Sequence, residues 1–161
     1  MEDLKVMGLF DSSDSLEYNL KNLFQNDSLS IPLSAPVSGF VTQGIKPNDN
    51  PPHYGIDIAA KEGDIIIAPA RGMVVFSGES GQSGKTIIIA HPNGFFSVYA
   101  HNDTNLVTER EMVEFQQPIA KVGKTGVSEG PHLHFEIWKN NEVINPIEFI
   151  EEYKKKDVSI Q

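Results

Sequence analysis

The stretch Gly130-Pro131-His132-Leu133-His134-Phe135-Glu136-Ile137-Trp138 decides how the rest of the chain is read. Leu133, Phe135 and Ile137 alternate with His132, His134, Glu136 and Trp138, the period of two that marks a strand with one buried face. An extended backbone projects both imidazoles from the same side, roughly 6–7 Å apart. That arrangement suits one metal ion held by one or both rings, or a ligand histidine beside a catalytic one. A solvated strand face carrying two polar side chains is the plainer alternative. The chain has five histidines and two of them stand here, so the other three carry the decision.

Upstream, His53, Gly55 and Asp57 share one parity and Ile56 and Ile58 the other. Extended geometry puts an imidazole and a carboxylate on one face, with Gly55 leaving an open space between them. Short apolar strands follow over 64–68, 72–76 and 86–90. Pro92-Asn93-Gly94 reads as a hairpin turn, because Asn-Gly accepts the positive φ angles such turns need. The strand over 95–101 places Ser97, Tyr99 and His101 on one face. Residues 102–117 read as a loop with room for one short strand, and 118–122 as another strand. Gly123-Lys124-Thr125-Gly126 turns the chain into the His132 strand. Beyond it, Asn140-Asn141 turns back to Val143-Ile144, and Asn145-Pro146 opens a helix over Ile147 to Lys155. Toward the N-terminus, Gly39-Phe40-Val41 is an opening strand. Leu16, Leu20, Leu23 and Phe24 fall at helical spacing, which predicts a short amphipathic helix over 14–25.

These elements predict a mostly β fold: an antiparallel sandwich or open barrel with a metal groove, a short N-terminal helix and a short C-terminal helix. The expected division is an N-terminal helical segment or linker over 1–30, the β domain over 31–150, and a tail over 151–161. At 161 residues such a chain buries roughly 70% of its unfolded surface without covalent staples. With no cysteine present, any metal site must draw on His, Asp or Glu. A net charge of −9 argues against nucleic acid and anionic lipid as partners. No apolar run approaches the ~18–20 residues of a membrane span. Val6-Met7-Gly8-Leu9-Phe10 is too short for the core of a secretory leader and is followed by Asp11. The expectation is either a protein that stays where it is made or a piece of a longer one.

Gly81-Gln82-Ser83-Gly84-Lys85-Thr86 imitates a phosphate-binding loop. That loop needs a glycine where Glu79 stands and a helix where Ile87-Ile88-Ile89 continues as a strand, so the segment reads as a hairpin loop. What remains is a constellation of His53, Asp57, His101, His132 and His134, all on strand faces or strand entries. His91, beside a hairpin proline, reads as structural. Three nitrogen or oxygen ligands with a fourth position left to water make a catalytic rather than a structural zinc site. Two further histidines would supply proton transfer and hydrogen bonds to a developing oxyanion.

With these residues in view, the chain resembles the lysostaphin/LytM-type zinc metalloendopeptidases, which cleave peptide cross-bridges or stem peptides of bacterial peptidoglycan. The resemblance covers roughly residues 36–147. It rests on His53-Tyr54-Gly55-Ile56-Asp57, on Tyr99-Ala100-His101, and on Gly123-Lys124-Thr125-Gly126 followed by Gly130 to Glu136, in the family's order and spacing. It implies Zn²⁺ as cofactor, with His53, Asp57 and His134 as ligands and His101 and His132 as the catalytic pair. It also implies peptidoglycan peptides as substrate, and a place in the bacterial cell envelope as a fragment of a longer exported or anchored protein. Some members of this family are non-catalytic factors that bind cell wall or activate an amidase. Such members typically lose ligand or catalytic residues, and this chain has lost none.

Two stretches depart from the family pattern. Thr42-Gln43-Gly44-Ile45 stands where a Phe-Gly-x-Arg turn is usual, and Glu111 to Gln116 replaces glycine-bearing turns before Ile119. A reshaped groove wall is the expected consequence. By likeness to latent family members, an asparagine of the N-terminal segment (Asn19, Asn22 or Asn26) could approach the metal's open position, with a linker helix as the alternative.

Overall fold

Alternating apolar residues need a sheet that covers one face of each strand, and the chain meets that need with two antiparallel sheets packed on a shared core. A computed structural model describes residues 31–159. In it the strands are β1 (Val41–Gln43), β2 (Ile56–Ala59), β3 (Ile65–Ile67), β4 (Gly72–Glu79), β5 (Lys85–Ala90), β6 (Phe95–Asn102), β7 (Thr104–Asn105), β8 (Met112–Val113), β9 (Pro118–Lys121), β10 (His132–Lys139) and β11 (Glu142–Ile144). Two short helices close the chain, α1 (Pro146–Phe149) and α2 (Glu151–Lys155). The helix expected over 14–25, and the segment 1–30 that contains it, lie outside the described residues.

The large sheet runs β1-β2-β10-β6-β5-β4-β8, with β11 folded back on β10, and the small sheet runs β3-β9-β7. Neither closes into a barrel. β10 is the hub, paired with β6 along one edge and with β2 and then β11 along the other. Its core face carries Leu133, Phe135 and Ile137, all fully buried. These join Ile56 and Ile58 of β2, Tyr99 of β6, Ile87 and Ile89 of β5, and Ile66, Ile119 and Ala120 of the small sheet in one cluster. Each fully buried aliphatic chain contributes about 1.5–3 kcal/mol relative to an exposed one, so this cluster dominates the fold's stability.

Asn93 and Gly94 take the positive φ angles the hairpin requires (65° and 78°), as do Asn140 and Asn141 at the turn between β10 and β11 (49° and 68°). The segment 102–117 holds two short strands, β7 and β8, where one was expected. The single helix expected over Ile147 to Lys155 is broken at Ile150, whose backbone is extended (φ −105°, ψ 105°) and whose side chain is buried. A β-branched residue loses χ1 freedom in a helix and gives up little by leaving it. Asn145 caps α1 by accepting from the Ile147 N–H. The break lets Tyr153 of α2 reach the core, where its hydroxyl donates to the Val37 carbonyl at 2.5 Å. Tyr153 therefore packs on the same core, and the Lys156 carbonyl accepts from the Val41 N–H. No helix among the described residues is long and apolar enough to cross a membrane.

His91 is fully buried and sits in a chain of hydrogen bonds, as its structural reading anticipates. Its Nδ1–H donates to the Arg71 carbonyl at 2.8 Å. Its Nε2 accepts from Ser97 Oγ at 2.7 Å, and Ser97 Oγ accepts in turn from the Tyr99 hydroxyl at 2.7 Å. Burial penalises the imidazolium and outweighs the Arg71 carbonyl, which pushes His91 from 6.5 down to about 4. The unfolded chain therefore binds a proton at this position between those pH values and the folded one does not. This contribution is intact above about pH 6.5 and turns unfavourable as pH falls through the window, reaching on the order of 3 kcal/mol near pH 4. Denaturant titrations of wild type and His91→Gln at pH 7, 5.5 and 4 should show wild-type stability falling more steeply with acid. Parallel curves would show that His91 has no part in acid destabilisation.

Candidate metal centre

The register of β10 against β2 assembles this site. The two strands pair antiparallel with His134 opposite Asp57 and His132 opposite Ala59. The carboxylate and the imidazole thus share the face turned away from the core, and Asp57 Oδ1 lies 2.9 Å from His134 Nδ1. His53 arrives from a loop that β-bridges back on itself, with the Lys46 N–H donating to the His53 carbonyl and the His53 N–H to the Lys46 carbonyl. Its Nε2 lies 3.2 Å from the same Asp57 oxygen. One donor atom each from His53, Asp57 and His134 falls within 4.8 Å of the others. Two imidazole nitrogens and one carboxylate oxygen form a donor set that a borderline-soft ion such as zinc accepts.

The far side of each candidate ligand ring is tied down. His53 Nδ1 donates to the Gly44 carbonyl at 2.7 Å, and His134 Nε2 donates to Glu136 Oε2 at 2.7 Å. Such bonds fix the ring orientation and choose which nitrogen faces the ion. Burial alone would raise the Asp57 carboxyl, but hydrogen bonds and charge from His134 and His53 outweigh it and hold the group well below the usual carboxylate range. Burial likewise opposes the His134 imidazolium, yet the bonds to Asp57 and Glu136 carry it up to about 9. A metal held by His134 Nδ1 would take the place of that proton, so uptake would release it.

His101 reaches the site by a route that alternation does not foresee. Parity along β6 puts it with Ser97 and Tyr99, which are buried on the core side. Lys85 pairs with Asn102 but Ile87 pairs with Tyr99, so Thr86 alone faces both Ala100 and His101. His101 takes up this bulge with a left-handed backbone, φ 64°. One extra residue reverses the parity beyond it and swings the ring onto the face of β10 that carries the other histidines. Its centroid lies 5.0 Å from His132 and 6.1 Å from His134. His101 Nδ1 then donates to the Thr125 carbonyl at 2.8 Å, and Thr125 is anchored by its hydroxyl donating to the Asn102 carbonyl at 2.6 Å. Burial, with the neighbouring His132 and His134, depresses the His101 pKa against the Thr125 bond and the Asp57 charge. His132 Nδ1 donates to the Gly130 carbonyl at 2.8 Å, and its Nε2 points inward, 3.7 Å from Asp57 Oδ1. All five residues singled out in the sequence therefore meet in one place.

The groove around them is lined on one side by Thr42, Gln43 and Lys46 and on the other by Gln82, Ser83 and Val127. The false phosphate loop supplies that second wall: the Val127 N–H donates to the Gln82 carbonyl, and the Lys85 N–H to Thr125 Oγ1. Of the two departures from the family pattern, only the one at Thr42-Gln43 borders the groove. Glu111 to Gln116 carries β8 on the far edge of the large sheet and reshapes no wall. Two contributors went unread in the sequence, Glu136 and Thr125. Glu136 shares the parity of His132 and His134, which was signal enough; Thr125 acts through its backbone and left none.

Fold and donor set together define a β-sheet domain able to hold one metal ion beside two further imidazoles. The chain belongs to peptidase family M23, whose model matches residues 51–146. The murein hydrolase activator NlpD of Salmonella typhimurium is 40% identical over 127 residues, which span 76% of this chain and 33% of that protein. The chain thus spans about a third of the length of that relative. A zinc-containing peptidase from Vibrio cholerae superposes with a TM-score of 0.67 at 30% identity, covering 70% of this chain and 38% of that one. The catalytic domain of lysostaphin from Staphylococcus simulans superposes with a TM-score of 0.60 at 28% identity, covering 69% and 89%.

Gly55, expected to leave open space, instead sits hard against β10. A Cβ there would stand 2.5 Å from the Phe135 carbonyl oxygen, 2.7 Å from Glu136 Cγ and 2.9 Å from His134 Cε1. The missing side chain is what lets β2 and the His53 loop approach the ligand strand. Gly55→Ala should lower the melting temperature of metal-free protein, with a cost of about 1–3 kcal/mol in denaturant titration as expected for overpacking. An unchanged melting curve would mean that the strands separate without cost.

Proposed function

We propose that this domain is a zinc-dependent endopeptidase that hydrolyses peptide bonds in bacterial peptidoglycan cross-links or stem peptides. The observation that carries the reading is the convergence of five side chains in one groove, each His ring held by its second nitrogen. His53, Asp57 and His134 hold the ion. Bound there, zinc supplies a Lewis acid that acidifies water and polarises a carbonyl oxygen.

His101 and His132 form the catalytic pair. Each has Nδ1 committed to a backbone carbonyl, at Thr125 and Gly130, which leaves Nε2 as the working atom. A neutral Nε2 accepts a proton from the attacking water; once protonated it donates to the developing oxyanion or the departing amine. The depressed pKa of His101 keeps that ring neutral, and so ready to accept, at neutral pH. The groove walls bind and orient the peptide on either side of these rings. Relatives named as lipoproteins, one of them an outer membrane antigen of Haemophilus influenzae, support a setting in the cell envelope for this activity.

A second reading has its own observation, the murein hydrolase activators among the relatives. In it the same groove binds cell wall, or the domain activates an amidase, without cutting. The two readings separate on purified protein. In the enzymatic reading wild type binds zinc stoichiometrically and digests cross-linked muropeptides, with products identified by mass spectrometry. Asp57→Ala and His134→Ala should lose zinc and activity together. His101→Ala and His132→Ala should retain zinc and lose roughly 10²–10⁴-fold in turnover. Zinc-loaded wild type that leaves every cross-link type intact would favour the activator. Zinc loss in His132→Ala with retention in His134→Ala would reverse the two roles.

A further inference from the structure

Glu136 is a charged side chain only 5% exposed, on the site face of β10, two residues beyond His134. Its two oxygens have separate partners. Oε2 accepts from His134 Nε2 at 2.7 Å, and Oε1 accepts from the Trp138 indole Nε1–H at 2.8 Å. A carboxylate this buried is costly unless each oxygen is satisfied, and here both bonds are made along one strand, at alternate positions of one face. Trp138 is itself 4% exposed, packs 5.5 Å from the ring of Tyr54, and belongs to a cluster with Phe96, Val98, Ile88 and Ala90. Tyr54 lies between His53 and Gly55, so the indole touches the segment that delivers the first ligand. The cross-strand neighbours of Glu136 and Trp138 on β6 are Val98 and Phe96, which wall the pair off from water.

We infer that Glu136 is a positioning residue for the metal ligand His134, held in place by the single indole of the chain, so that Trp138, Glu136 and His134 form a buried relay ending at the metal. The inference rests on the metal reading proposed above. In the relay the indole locks the carboxylate rotamer, the carboxylate keeps the proton of His134 on Nε2, and the Nδ1 lone pair is thereby aimed at the ion. A carboxylate behind a ligand imidazole also raises its basicity and hence its hold on the metal. Because Trp138 is the only tryptophan, its fluorescence reports directly on the state of the carboxylate it donates to.

The test is zinc affinity, measured by competition with a chelator, in wild type, Glu136→Gln, Glu136→Ala and Trp138→Phe, alongside the melting curve of each metal-free protein. The near-isosteric Glu136→Gln preserves packing and satisfies one of the two donors. It should bind zinc roughly 10–100-fold more weakly, the usual worth of such a partner. Its downfield Nε2-bound proton of His134 in the zinc-loaded NMR spectrum should move upfield, which a merely structural role would not cause. Trp138→Phe should weaken zinc by less and shift the same proton in the same direction. In wild type, zinc should change the tryptophan emission, and in Glu136→Gln that response should shrink. If wild type binds zinc tightly while folded Glu136→Gln and Trp138→Phe match it within twofold and the His134 proton stays put, this inference falls alone. If wild type takes up no zinc, the metal reading falls and the relay goes with it.

Discussion

Everything at the groove depends on the pairing of β2 with β10. Cross-strand neighbours in an antiparallel pair lie about 4.5–5.5 Å apart, near enough for a carboxylate and an imidazole to share one ion. Here that neighbour relation joins Asp57 to His134 across 77 residues of sequence. The same register gives Ile58 and Ile56 to Leu133 and Phe135 on the opposite face. Slipping it by one residue would expose the core and bury Asp57 and His134 together. The hydrophobic core and the Asp57–His134 pair are therefore specified by one set of backbone hydrogen bonds. This pair comes with the fold, while His53 and His101 reach it by a bridged loop and a bulge.

Around this pair the chain distributes two kinds of support. The rings of His53 and His134 are held by a backbone carbonyl at Gly44 and by the buried carboxylate of Glu136. The other two rings are held by backbone carbonyls at Thr125 and Gly130. The difference is chemical. Glu136 sets His134 apart from the other three rings: a carboxylate adds charge behind an imidazole, whereas a neutral carbonyl orients the ring without it. Close-packed glycines serve the same end. Gly55 admits the ligand strand, and Gly84 and Gly126, both at positive φ, bring the 80–84 loop against the turn that holds His101.

Much of this was legible in the residues. The alternation of Leu133, Phe135 and Ile137 with the histidines determined the central strand and its two faces, because side-chain direction follows backbone parity. The Asn-Gly and Asn-Asn turns and the five candidate site residues also stood in plain view, since a period-two pattern and positive-φ residues are local properties. Likewise His91, beside its hairpin proline, read as structural, and the structure buries it in a hydrogen-bonded chain.

What only the tertiary structure decided is non-local. Which strand faces β10 is settled by packing between segments distant in the chain, and no local pattern encodes it. His101 belonged by parity to the core, and a bulge opposite Thr86 turned it into the groove. Bulges answer to the partner strand, so the strand's own sequence does not announce them. Gly55 read as a gap because an isolated strand leaves room there, whereas the folded sheet fills it with the Phe135 backbone. The break at Ile150 follows from the burial of Ile150 and Tyr153 in a core built by other strands, a demand that helical periodicity alone cannot express.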